Sequence, residues 1–267
     1  MNRIKSCFEK MKAENRKALV VFITAGDPDL DSTKDFLEVI DDSGADIIEL
    51  GVPFSDPLAD GPIIQASALR ALKSGTTLKK IISLVKEIRK ARNLPIVLMA
   101  SFNPIFVYGE KKFVEDAVSA GVDGVIVPDL PPEESVKLSA YAQEKGLDVI
   151  HLLAPTSPDE RIRMVAENCR GFIYYISLTG TTGVRTQLAS GIRDKVESIK
   201  LKSNLPVLIG FGISNPDLAR EAAEFSDGVI VGSAVVSLIE KNSDPIQRNK
   251  KLAEFVCSIK EAVSNQS

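Results

Sequence analysis

Ala18-Leu19-Val20-Val21-Phe22-Ile23-Thr24 is apolar until its last residue and runs straight into Gly26-Asp27-Pro28. A strand with one wet face alternates apolar and polar side chains. This one does not, as expected of a strand buried on both faces of a parallel sheet. It is also too short to cross a membrane as a helix. Similar Val- and Ile-rich runs recur at 47–50, 95–100, 125–127, 149–153, 172–176, 206–209 and 229–231. Between them lie helical patterns such as Leu78, Ile81, Ile82, Val85 and Ile88, which form one apolar stripe. Glycines punctuate the helix-to-strand turns at Gly44-Ala45-Asp46, Gly121-Val122-Asp123 and Gly146-Leu147-Asp148, where a left-handed residue ends a helix at little cost.

Eight strands, each followed by a helix, predict a (β/α)8 TIM barrel forming a single domain over residues 1–267. An open doubly wound sheet is the main rival, but no GxGxxG follows the first strand. Extra helices are expected at both ends: Ile4, Cys7, Phe8 and Met11 before the first strand, and Leu252, Phe255, Val256, Ile259 and Val263 at the other terminus. Two internal echoes point to a duplicated half barrel. Asn93-Leu94-Pro95-Ile96-Val97-Leu98 resembles Asn204-Leu205-Pro206-Val207-Leu208-Ile209, and Asp123-Gly124-Val125-Ile126-Val127 reappears at Asp227-Gly228-Val229-Ile230-Val231.

Composition narrows the function. Lys plus Arg number 33 against 36 Asp plus Glu, a net charge of −3 that supplies no basic field for nucleic acid and no polybasic membrane patch. Cys7, Cys169 and Cys257 are odd in number and lack a CxxC, which fits a reducing compartment better than a disulfide framework. With no targeting or spanning segment evident, a cytoplasmic location is expected. His151 is the one histidine, so no site can use two imidazoles, and no metal is expected. Midway along the fifth strand, it reads as a satisfied core residue.

In such a barrel, function belongs at the carboxyl ends of the strands. No lysine or histidine occupies those ends, which disfavours a Schiff-base aldolase. Glu49 closes a strand otherwise made of Ile47, Ile48 and Leu50. Either burial raises its carboxyl into the range useful for moving protons near neutrality, or it is ion-paired at the rim. Asp60 lies in a loop stiffened by Pro53, Pro57 and Pro62, and it reads equally as a catalytic partner or as the N-cap of the helix starting near Pro62. Three glycine-bearing loops follow the last three strands: Thr181-Thr182-Gly183, Gly210-Phe211-Gly212-Ile213-Ser214 and Val231-Gly232-Ser233-Ala234. Bare backbone amides at a helix N-terminus suit a phosphate, with Ser233 both cap and ligand.

At these residues the sequence resembles the tryptophan synthase alpha chain family. The run Ile48-Glu-Leu-Gly-Val-Pro-Phe-Ser-Asp-Pro-Leu-Ala-Asp-Gly-Pro62 follows that family's signature almost letter for letter. Phe22-Ile-Thr-Ala-Gly-Asp-Pro28, Asn103-Pro-Ile, Pro128-Asp-Leu-Pro-Pro132, Ile209-Gly-Phe-Gly-Ile-Ser214 and Val231-Gly-Ser-Ala234 match in order. The resemblance implies a lyase that cleaves indole-3-glycerol phosphate by a retro-aldol reaction, giving indole and glyceraldehyde 3-phosphate. It implies Glu49 as general acid–base and Asp60 as partner of the indole N–H. The phosphate would rest on Gly183, Gly212, Gly232 and Ser233. Phe22, Ile64, Leu98, Ile126, Tyr174 and Phe211 would wall the indole slot, with Tyr174 inward and Tyr175 outward, and Thr182 would orient Asp60.

The resemblance further implies no cofactor in this chain and a beta chain partner that holds pyridoxal phosphate, joined in an α2β2 heterotetramer. Indole passes to that partner through a channel, under allosteric control. The loops 53–60 and 180–188 would close over substrate, with Asp56 a partner contact. Thr181 stands where the family commonly has Val, and Ser101-Phe102 where it often has Tyr-Tyr. These departures leave open a reading in which the chain chiefly activates its partner.

Overall fold

The structure is a computed structural model that describes residues 2–57, 60–176, 191–210 and 212–264. The first half of the chain runs α1 (Arg3–Ala13), β1 (Ala18–Thr24), α2 (Leu30–Asp42), β2 (Ile47–Gly51), α3 (Pro62–Lys73), α4 (Leu78–Ile88), β3 (Ile96–Met99), α5 (Phe102–Tyr108), α6 (Glu110–Ala120) and β4 (Gly124–Ile126). The second half runs α7 (Val136–Lys145), β5 (Asp148–Ile150), β6 (Leu152–Leu153), α8 (Asp159–Asn168), β7 (Ile173–Ile176), α9 (Ile192–Lys200), β8 (Val207–Gly210), α10 (Pro216–Ala223), β9 (Gly228–Val231), α11 (Ser233–Lys241) and α12 (Pro245–Ser264).

The strands pair in the order β5-β4-β3-β2-β1-β9-β8-β7-β6, and every described pair is parallel. One residue, His151, separates β5 from β6, so these two segments are halves of one stave. The Tyr174 amide donates to the His151 carbonyl at 3.1 Å across the break. Nine segments thus make eight staves, and the fifth is interrupted where an unbroken strand over 149–153 was expected.

Alternation along the staves divides the core in two. Leu19, Val21, Ile48, Leu50, Val125, Tyr175, Ile209 and Val229 face outward into the helical layer. Ala18, Val20, Ile47, Val97, Ile126, Ile150, Tyr174, Leu208 and Ile230 face the barrel axis. The N-terminal helix closes one end of that interior with Ile4 and Met11, and the Phe8 ring packs 5.9 Å from Phe172. At the other terminus, α12 buries Leu252, Val256, Ile259 and Val263. Gly121 and Gly146 take left-handed φ values of +92° and +78° immediately after α6 and α7, the conformation their turns require.

The echoed segments form the same unit twice. The Asp123 carboxylate, just before β4, accepts from the Ile96 amide at 2.9 Å, and Asp227, just before β9, accepts from the Val207 amide at 2.9 Å. Asp46 does the same for Leu19 at 2.8 Å. Each carboxylate thereby satisfies an amide in the first two residues of the preceding stave and fixes stave register at the closed end. Arg3 and Arg89 pair with Asp123, and Lys200 with Asp227, so these buried or half-buried carboxylates are not left uncompensated. The opposite, carboxyl end of the barrel is left free for function.

Candidate active site

Adjacent staves β1 and β2 bring Phe22 level with Glu49 and Thr24 level with Gly51. Because Ile47 faces the axis, period-two alternation sends Glu49 and Gly51 the same way, and Glu49 opens into a cavity at the carboxyl end of the barrel. Its side chain is buried, and neither carboxyl oxygen has a hydrogen-bond partner among the described residues. Burial first, then the nearby charge of Asp60, pushes its pKa up to about 8. Glu49 is therefore a buried acid with no ion-pair partner among the described residues, not a rim ion pair.

Asp60 lies on the wall of the same cavity. It does not cap the next helix. Gly61 holds the N-cap position of α3 with no side-chain cap bond, Pro62 takes the first turn, and the Asp60 backbone carbonyl accepts from Gln65 Nε2 at 2.8 Å. Its carboxyl is raised by burial and then by Asp129. Asp129 shares a smaller side cavity with Asp60, and it is tied down by accepting from the Phe102 amide at 2.8 Å. Asp129 is a contributor that the strand-end sequence contains but that sequence reasoning left without a role. Tyr174 points inward and Tyr175 outward; burial, followed by Glu49 and Asp60, keeps the Tyr174 phenol firmly protonated.

The far end of the cavity is built from backbone. Gly212 (φ +88°), Ile213 and Ser214 follow β8, and Gly232, Ser233 and Ala234 follow β9. Gly232, not Ser233, is the N-cap of α11, so Ser233 sits in the first turn with its amide at the positive end of the helix. The Ser214 hydroxyl is buried without a partner among the described residues, beside this cradle. Sequence reading quoted Ser214 within its motif and gave it no role. An unpartnered buried donor next to a helix N-terminus is the available signal.

The apolar wall needs two corrections. Phe22, Ile64 and Tyr174 line the cavity, but Leu98 faces outward into the helical layer and Met99 takes its place. An apolar run buried on both faces carries no mark of its parity, so the one-residue slip was invisible in the sequence. Ile126 faces the axis but lies in the closed interior layer with Val97 and Ile150, away from the cavity wall. Ile63, Ile213 and Ile230 complete the lining.

Asp56 is exposed and accepts from the Ser55 hydroxyl at 2.6 Å. Thr181, Thr182, Gly183 and Phe211 lie outside the described residues. His151 is buried away from the cavity, but its Nε2 has no partner among the described residues, in contrast to the satisfied histidine expected. Among the described residues, no group of three His, Cys, Asp or Glu side chains is placed to hold a metal ion.

One cavity therefore holds a neutral buried acid, a second carboxylate, an apolar slot between aromatic rings, and a backbone cradle suited to an anion. The family model described as Tryptophan synthase alpha chain matches residues 8–264. The tryptophan synthase alpha chain of Geotalea uraniireducens is 52% identical over 264 residues, spanning 98% of both chains. That of Geobacter sulfurreducens is 50% identical over 265 residues, 99% of this chain and 100% of the relative. Among solved structures, the alpha chain from Legionella pneumophila superposes with a TM-score of 0.89 at 38% identity, covering 98% of this chain and 97% of that one. Mycobacterium tuberculosis tryptophan synthase gives 0.91 at 35% identity over 99% of each. With nearly the whole chain matched and Glu49 and Asp60 at one cleft, the chain belongs to the tryptophan synthase alpha chain family.

Proposed function

We propose that this chain cleaves indole-3-glycerol phosphate into indole and glyceraldehyde 3-phosphate, with Glu49 as general acid–base and Asp60 as electrostatic partner of the ring. The observation that carries the reading is Glu49 itself, a buried carboxyl without hydrogen-bond partners among the described residues, its pKa pushed up to about 8, facing the cavity that Asp60 also lines. Two carboxyls with different environments divide the work of acid and anion. Protonated Glu49 delivers its proton to indole C3, and the ring becomes cationic at its nitrogen. Asp60 accepts the indole N–H and stabilises that charge as it grows, in a site already organised to do so. Glu49, now a carboxylate, takes the proton of the glycerol hydroxyl adjacent to the ring. The carbonyl of glyceraldehyde 3-phosphate forms, the carbon–carbon bond breaks, and its electron pair neutralises the ring. Because the protonated ring is the electron sink, no imine-forming lysine is required.

Gly212, Ser214, Gly232 and Ser233 hold the phosphate in this reading, and Phe22, Ile64, Met99 and Tyr174 flank the indole. The expected partner is a beta chain carrying pyridoxal phosphate, in an α2β2 assembly within the cytoplasm, to which indole is channelled. Phe106, Val107 and Val136 support a protein partner on the active-site face: all three are exposed on helices that follow β3 and β4, and Phe106 packs 5.9 Å from Phe102. The substitution Glu49→Gln tests the chemistry. Indole release should fall by about 10²–10⁴ while binding of indole-propanol phosphate stays close to that of the parent. Unaltered turnover would remove Glu49 from the mechanism.

A further inference from the structure

We propose that Gly51 is a specificity-determining residue of the cleft: the space left by its missing side chain holds the edge of the Phe22 ring, and that placement sets the width of the aromatic slot. The inference rests on the reading that the slot receives the substrate's indole.

Gly51 ends β2, two residues beyond Glu49 and on the same inward side. A glycine in a strand loses side-chain packing and conformational entropy, and it often marks the close approach of another group. No left-handed backbone explains it, since Gly51 is not among the positive-φ residues. Phe22, paired directly with Glu49, is instead its diagonal neighbour across the β1–β2 ladder, a spacing that an aromatic side chain spans. A Cβ built on Gly51 would stand 2.6 Å from Phe22 Cζ and 2.7 Å from Cε2. Both contacts lie well inside ordinary carbon–carbon separation.

The other side of Phe22 also faces a glycine, at a looser fit. A Cβ on Gly232, just past the neighbouring stave β9, would stand 3.3 Å from Phe22 Cβ and 3.4 Å from Cδ1. Phe22 therefore sits between two glycines contributed by the staves on either side of its own. A ring displaced from Gly51 moves the wall of the cavity, which Phe22 forms together with Glu49, Ile64 and Met99. Gly51 and Phe22 also border the side cavity that contains Asp129, so the same ring position separates the two spaces.

A double-mutant cycle tests this. Steady-state cleavage of indole-3-glycerol phosphate is measured for the parent, Gly51→Ala, Phe22→Leu and the double variant, with inorganic phosphate binding measured alongside. Gly51→Ala should raise KM by about 10-fold or more, the scale of one misplaced methyl in a shaped apolar slot, and leave phosphate binding unchanged. Phe22→Leu removes the two ring atoms that the new methyl would strike. In that background the Gly51→Ala penalty should largely vanish, an effect that a purely structural role for Gly51 would not produce. An insoluble Gly51→Ala chain restored to solution by Phe22→Leu would support the same clash. Additive effects, an unchanged KM in Gly51→Ala, or an insoluble double variant would overturn the proposal. A parent chain that cleaves no indole-3-glycerol phosphate would overturn the functional reading as well, and this outcome is distinguishable because it shows before any substitution is made.

Discussion

Glu49 shows how one residue acquires chemistry from its surroundings. An unfolded chain would ionise this carboxyl near pH 4.5, whereas the folded barrel holds it protonated to about pH 8. Between those values the native state carries the extra proton, so stability declines as pH rises through that window. Glu49→Gln, neutral throughout, should therefore gain stability relative to the parent as pH is raised from 5 to 8, a trend that thermal melts across that range will read. Catalysis follows the same group. The reaction begins with protonated Glu49, so kcat/KM of the parent should fall on the alkaline side with a midpoint near 8. A flat profile through pH 9 would assign the first proton to another donor. Glu49 was legible in the sequence because a charged residue interrupted an apolar run. Its lack of an ion-pair partner was not, since the chain does not reveal which side chains approach from other staves. Leu98 and Met99 mark the same limit: with both faces of β3 buried, nothing in the sequence says which one faces the cleft.

At the scale of elements, the staves were legible because apolar runs bounded by glycine turns carry their own punctuation, and observed ends fall within a residue or so of the expected ones. The fifth stave departs at His151, the one polar residue in its run. Its imidazole is buried, and its pKa is lowered to about 4 by burial and then by Arg161, with Glu133 opposing. Arg161 and Glu133 pair with each other at 2.5 Å. The unfolded state takes up the His151 proton near pH 6.5 and the folded state only near 4, so stability is lost as pH falls through that interval. Replacing His151 by Gln should flatten this acid limb in denaturant titrations at pH 4 to 7; an unchanged limb would place the acid sensitivity elsewhere. The opening of α11 was also partly legible. The glycine-serine step marked a helix start, but which of the two residues caps it depends on backbone angles: Gly232 has φ −124° and ψ −76°.

Across the whole molecule, the two ends of the barrel have different tasks. Carboxylates ahead of the staves, arginines and α1 lock the closed end, and the open end carries the cleft, with exposed apolar residues on α5 and α7. Those residues are where the expected beta chain would dock. Val107→Glu, far from the reacting groups on an exposed helix position, should leave cleavage by the isolated chain intact and reduce its stimulation by added beta chain. Equal stimulation of both forms would move the interface to another face. Composition alone revealed none of this surface, because exposed apolar residues become a patch only once the fold gathers them. The proposed cleavage depends on the cleft receiving its substrate in one orientation, phosphate at the α11 end and ring toward Asp60. The most direct measurement of that orientation is a crystal structure of the chain with indole-propanol phosphate bound. The phosphate should sit against the Gly212 and Ser233 amides, the indole N–H within hydrogen-bond reach of Asp60, and the Glu49 carboxyl beside the ring carbon that is protonated. A ligand bound with its phosphate away from α11, or with Asp60 remote from the indole nitrogen, would contradict the account.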